Sequence, residues 1–511
     1  MAVSSALQRL HLTVFESSTT LSKRYSFDEA SQTITKTASA QMIEGHAERR
    51  FLKLDRICIF ALECLRLGLD ELGTHQAIGL GILRDGVVRS VITTLGQLAR
   101  MPEHDEPDVR ARSLSHFTFH DGPGLLLIDN DNGRNTADLL AAVCPPMRGV
   151  ASLTRAAMSA SVIHPGLGLA VPSAGEHVYC ILDDQRCSKE ALEILHKACF
   201  VAGHGRIDLS RAGSFLQRSA VDRAVGSPER LVFEGRPIVE SPLIVRERPF
   251  VARGGDVLRI AELRAWAEAR DIAARYRECV IALESDPDLI ERRRAVQAAH
   301  RATLEEHHRQ AGMPVAEARR KAERTVRSLA RSSLKSGVIR LDPDDVFVTR
   351  DRGRVSYRVM LADPAAWEGC TGFDPEEGES YGHCASIVYR SATNGLLIYS
   401  QAHGGRTFVV DPILTRDHER TLSRLKCGLI RARMFWPAVA LPDLLQAISA
   451  EPREQMRPLA RPLVRMALAQ GLSPDDGRAV ALACGCDEAA ARILTAPHTA
   501  SPSSTRAGDQ P

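Results

Sequence analysis

The chain has 511 residues, 44% hydrophobic and 25% charged, a globular balance with room for two or three domains. Its net charge is only +3, which excludes an argument for nucleic acid from overall charge, so any basic surface must be local. No early segment has the charged-then-apolar layout of a signal peptide and no apolar run reaches spanning length, so a soluble, cytoplasmic protein with no membrane partner is expected.

Residues 1–25 are expected as a flexible terminus, because the early run is broken by polar residues. A polar β-like stretch, TITKTASAQMIEG, then leads into amphipathic helices. FLKLDRICIFALECLRLGL, residues 51–69, spaces its apolar groups for a helix, and Gly73 supplies a stop. MPEHDEPDVRAR is a charged, proline-punctuated loop. GPGLLLIDNDNG follows, a short buried strand with Asp129 and Asp131 at its end. Residues 172–184 form a second strand after a Ser/Gly turn. SKEALEILHKACFVAG is a helix that Ser188 can cap and Gly203 stops. GRIDLS and QRSAVDRAV are strand-like and precede PERLVFEGRP.

Residues 251–340 form a basic helical region, with thirteen Lys/Arg against seven Asp/Glu between Asp286 and Arg340. A solvated helical face is the simpler reading of that excess. An arm that grips nucleic acid is the other, since clustered arginines neutralise phosphates. Residues 341–412 are a small β-rich region, 413–496 a C-terminal helical region, and 497–511 a disordered tail by composition. The 12 cysteines include no CxxC pair, so no zinc is expected. There is no GxxxxGK[ST], so any unwinding would come from a separate helicase.

Asp129 and Asp131 stand at i and i+2, which on a strand aims both carboxylates at one point. Two such anions repel unless a cation joins them, and hard oxygen ligands suit Mg²⁺ or Mn²⁺. Taken alone, a DxD is more often an Asp-rich strand-to-turn junction. His177, in SAGEHVY, can hydrogen-bond a phosphate oxygen beside a metal-bound triphosphate; its bland alternative is a satisfied structural histidine. Asp222, in SAVDRAV, is a third carboxylate whose alternative is a cap or turn residue. Asp208, in GRIDLS, competes for the same place.

Together, LLLIDND, SAGEHVY and AVD resemble, in this order, the hhhDxD/E, Ser/Gly-x-His and hydrophobic-Asp strands of the archaeo-eukaryotic primase superfamily, in its plasmid, phage and integrative-element form. VDRAVGSPERLVFEG is similar to the continuation in primase-polymerases. TITKTASAQMIEGHAER, GLDELGTHQAIGLGIL, and LADPAAWEGCTGFDPEEGESYG with LLIYSQAHGG extend the likeness over about residues 25–412. Gln401 departs from the Phe-Ala-His of relatives, and His403 stays a structural residue.

The resemblance implies an α+β fold in which residues 26–250 are the catalytic domain, an RRM-like antiparallel sheet preceded by an α/β module. It implies two Mg²⁺ or Mn²⁺ ions on Asp129, Asp131 and Asp222. Contacts from Ser173, His177, Arg218 and Arg230 would hold the nucleotide. The function it implies is template-directed nucleotidyl transfer, a DNA primase or polymerase of a mobile element that uses single-stranded template and nucleoside triphosphates. A non-catalytic initiator or helicase-loading scaffold is the alternative, and a metal-dependent nuclease a third reading.

Overall fold

A computed structural model describes residues 9–38, 44–54, 58–98, 101, 108–131, 133, 135–170, 175–248, 250–310, 312–329, 339–379, 386–391, 395–402, 406–412, 414, 416–435 and 440–495. The chain is mixed α+β with open sheets and divides into two compact units. The first comprises Met1–Gly337, Phe373–Ala385 and Gln401–Arg406; the second comprises Val338–Gly372, Ser386–Ser400 and Thr407–Pro511. The basic helical region thus belongs to the first unit.

The first unit opens with a five-stranded sheet in the order Gln76–Gly79, Arg9–Ser17, Gly45–Lys53, Arg89–Thr93, Val109–Ala111. The segment expected to be a flexible terminus therefore contributes an interior strand. Both faces of this strand are covered: Leu10 and Leu12 enter one core and Phe15, on the opposite face, another, so polar residues interrupt the run without marking a tail. Residues 51–53 likewise end a strand rather than begin a helix, and the helix starts at Ile59 and stops at Asp70. Backbone pairing with residues 9–17 outweighs the helical spacing of that short apolar run.

A second, four-stranded antiparallel sheet has the order Gly124–Asn130, Glu176–Leu182, Ser152–Ala156, Phe250–Arg253. Leu125, Leu126, Leu127 and Ile128 are all buried, so this strand is covered on both faces. The reason is one continuous core that joins these residues to Leu10, Leu12 and the 59–70 helix, and to Leu192 and Leu195 of the helix Ser188–Val201. Burying each such leucine contributes roughly 2 kcal/mol. Ser188 is the first helical residue here, not the cap; its hydroxyl donates to the Gln185 carbonyl oxygen at 2.6 Å. A hairpin, Arg206–Leu209 with Phe215–Arg218, leads to a single 3-10 turn at Arg223–Val225. Helices Ile260–Ala269, Ile272–Glu284, Pro287–Gln310 and Val315–Leu329 follow.

The second unit has a five-stranded sheet in the order Ile339–Arg340, Arg406–Val410, Leu396–Ser400, Ser386–Arg390, Thr371–Gly372. Its helices between Arg416 and Thr495 enclose a separate core around Leu425, Leu444, Leu463 and Val480. No helix among the described residues is long and apolar enough to cross a membrane.

Candidate active site at the end of the second sheet

Strand register places Asp129, His177, Arg155 and Phe250 in one row across the four strands. Residues directly opposite in antiparallel strands share a face, so these side chains stand side by side. His177 Nε2 lies 3.5 Å from Asp129 Oδ1, and the Arg155 guanidinium lies 4.2 Å from the centre of the Phe250 ring. Asp131 occupies the turn just past the strand. The buried Asn130 side chain holds that turn by donating to Thr136 Oγ1 at 3.0 Å. Glu176 secures it from the other side, accepting the Thr136 amide at 2.8 Å. Gly175 allows the strands to meet there, since a Cβ would come within 3.2 Å of the Asn130 carbonyl and 3.3 Å of that of Asp131.

Against this row lies Glu234, fully buried and reached by four donors. Its Oε1 accepts from His177 Nδ1 at 2.5 Å and from the Tyr179 hydroxyl at 2.8 Å. Its Oε2 faces Arg155 at 3.4 Å and Arg248 at 3.3 Å. Arg248 also donates to the Glu234 carbonyl at 2.5 Å, and Arg155 to Asp70 at 3.2 Å. Burial alone would raise the Glu234 carboxyl, but His177, Arg248 and Arg155 pull it down to about 2. An ionised carboxylate only accepts, so Nδ1 of His177 carries a proton. Burial opposes the charge on His177, yet Glu234 and Asp129 together hold it above the ordinary histidine range. Below that raised value the ring is cationic and its Nε2 presents a proton toward Asp129.

Glu234 is positioned by local backbone. Val232 forms a two-way bridge with Ile78, and Gly235 packs so closely that a Cβ would lie 2.6 Å from the Gly73 carbonyl.

The Asp131 carboxyl is raised by the protein crowded around it and by the neighbouring Asp129 charge; Lys23, Arg218 and His177 partly offset this. The side chain keeps access to water, so its desolvation is partial and Asp129 is the firmer cause. Lys36 is close enough to feel both Lys23 and Asp131. Asp129 and Asp131, with Lys23, Lys36 and Arg218 acting on Asp131 through space, make a site of mixed charge: acids to hold a cation, cations to hold a polyphosphate. We expect Asp131→Asn to stabilise the metal-free protein by less than about 1 kcal/mol at pH 7, given the exposure of the group. An acid held above its unfolded value costs stability only while ionised, so the gain should vanish below about pH 4. Melting at the two pH values checks this, and equal gains at both would contradict it.

Asp222 reaches the same place through its backbone, its amide donating to the Asp129 carbonyl at 3.0 Å. Its carboxylate accepts the Ala224 amide at 2.9 Å, capping the 3-10 turn. Among the described residues no three His, Cys, Asp or Glu side chains stand close enough to hold one metal ion. Arg230 donates to the Ala224 carbonyl at 3.2 Å, on the turn that Asp222 caps. Arg218 lies 3.7 Å from Asp208, which shares its hairpin rather than the site. Ser173 and His403 lie outside the described residues.

Sequence reading missed Glu234, Arg155, Arg248, Lys23 and Lys36. Only Glu234 left a signal, a charge directly after the apolar run Leu231–Val232–Phe233. The downstream motif also has a structural role within the first unit: the buried Glu376 carboxylate bonds both Ser210 and Arg406, and Arg211 donates to the Glu377 carbonyl at 3.1 Å. The motif thus holds the tip of the hairpin that leads to Asp222. No family model, curated protein or solved structure matches this chain.

Proposed function

We propose that the first unit is a metal-dependent nucleotidyl transferase that builds nucleic-acid strands on a single-stranded template, with the second sheet as an RRM-like catalytic core. The observation that carries this reading is the Asp129–His177–Glu234 line beside Asp131, on which Lys23, Lys36 and Arg218 act by charge. Asp129 and Asp131 fit a divalent cation because the Asp129 charge already raises the Asp131 carboxyl; Asp222 is joined to Asp129 through its backbone, while its carboxylate caps the Arg223–Val225 turn. A pair of Mg²⁺ or Mn²⁺ ions there would supply activation of the attacking hydroxyl and neutralisation of the leaving pyrophosphate. Lys23, Lys36 and Arg218 orient the triphosphate by charge. Glu234 fixes the tautomer and tilt of His177, whose Nε2 proton is offered to a phosphate oxygen. No covalent intermediate is involved; positioning and charge neutralisation carry the rate.

A second reading is favoured by one observation. The Asp222 carboxylate is spent on the Ala224 amide, as it would be in a primase-like scaffold that loads a helicase without catalysis. That scaffold would show no change in thermal stability with Mn²⁺ and triphosphate. The test is one incubation of single-stranded template, labelled nucleotides and Mn²⁺, with and without primer. Incorporation supports the transferase, and strand cleavage without nucleotides would identify a nuclease instead. Inert template and nucleotides, with no metal effect on melting, would leave the scaffold. We further expect His177→Ala to raise KM for the triphosphate at least tenfold, a loss of about 1.4 kcal/mol, while template affinity changes little. Equal losses in both would remove His177 from the nucleotide.

A further inference from the structure

Beside the hairpin that leads to Asp222 lies a groove of about 560 Å³, walled by helices Pro287–Gln310 and Val315–Leu329. Arg293, Gln297 and Arg301 recur every four residues and so share one face of the first helix; Arg294 flanks them, and Arg327 faces them from the second. Glu284 and Glu323 also line the groove, leaving four arginines against two acids. Arg293 is fixed, donating to the Gly213 carbonyl at 2.8 Å and lying 4.2 Å from the Phe215 ring centre. Arg294 and Arg327 make only exposed pairs, at 3.3 Å with Glu291 and 2.8 Å with Glu323. Such pairs contribute little and exchange readily for another anion. Arg301 is exposed and has no hydrogen-bond or ion-pair partner among the described residues.

The groove is also connected to the candidate centre. Phe215, on its wall, and Arg218, which acts on Asp131, are the two ends of one strand, about 10 Å apart at the usual rise. We propose that this groove is a track for the sugar-phosphate backbone of the single strand that enters or leaves the catalytic centre. The proposal rests on the transferase reading for its choice of ligand. The groove grips phosphates without reading bases, because its free donors are guanidinium groups and one amide on an open wall. This turns the arginine excess of residues 286–340 from a solvated face into a binding surface.

The test uses the full chain and fluorescent oligothymidylate and oligoadenylate, without divalent ions or nucleotides, over a salt series. Arg294→Ala/Arg301→Ala changes two exposed side chains, so the fold should survive, as melting will verify. We expect equal weakening for both oligomers and a log–log salt slope shallower by about 1.4, two contacts at about 0.7 each. Arg301→Glu alone should weaken both by about tenfold. Arg420→Ala, on a helix of the second unit, is the control and should leave the slope unchanged. An unchanged slope in the double variant, a loss confined to one oligomer, or an equal loss in the control would overturn the track. Incorporation assayed in the same preparations separates the two ideas. Incorporation without a salt effect removes the track alone, and a salt effect without incorporation removes the enzyme alone.

Discussion

Asp129→Asn is expected to reduce nucleotide incorporation by about three orders of magnitude, about 4 kcal/mol of barrier, in a protein that still folds. The two halves of that expectation come from different parts of the residue. Its backbone pairs with His177 across the sheet and accepts the Asp222 amide, and asparagine keeps both. Among the described residues its carboxylate makes one long contact, 3.5 Å to His177, which leaves it able to hold a cation. Asparagine cannot neutralise a divalent ion, so the chemistry goes and the sheet stays. Melting curves and an extension assay on the same sample check the two halves. A folded Asp129→Asn protein at full activity would move the chemistry elsewhere.

Glu234→Ala is expected to cost about 3–5 kcal/mol of stability, the range for removing one partner of a buried ion pair. Arg155 and Arg248 would remain buried with no carboxylate between them, and the Tyr179 hydroxyl would lose its acceptor. Glu234→Gln keeps the shape and separates charge from packing. In the parent, Glu234 is held below its unfolded value, so its contribution is present above about pH 4 and is lost as pH falls toward about 2. His177 is held above its unfolded value, so its contribution is present below about pH 6.5 and is lost as pH rises through the raised value. The glutamine variant should flatten both limbs. It should also shift the pH profile of incorporation toward acid, because His177 then gives up its proton more easily. Urea melts read by hydrogen exchange of the 176–182 amides follow the site itself. An unchanged acid limb in Glu234→Gln would show that the carboxylate does not carry that stability.

The strands that carry Asp129 and His177 were legible in the chain because local patterns encode them. Leu125–Ile128 is an apolar run between a glycine and two acids, and Val178–Leu182 is a second apolar run that follows a Ser/Gly-containing segment. The 9–17 strand was obscured because a single polar-interrupted strand has no local mark that sets it apart from a tail. Its partner at 45–53, and the core over Leu10 and Leu12, decide the matter. Asp222 was legible as a candidate, but the choice between metal ligand and cap depends on where one carboxylate turns, and here it turns to Ala224.

What the sequence determined by itself was the strand that ends beside Asp129, the strand that carries His177, and the helices of the basic region, all features of spacing within a few residues; the third expected strand, at Asp222, is instead a turn cap. Tertiary structure alone decided that Asp129, His177 and Arg155 form one row, and that the buried Glu234 and Arg248 close a network against it, with the exposed Asp70 pairing Arg155 from outside. The physical reason is that a buried charge is tolerable only when partners converge from several distant segments, and no spacing along the chain records that convergence.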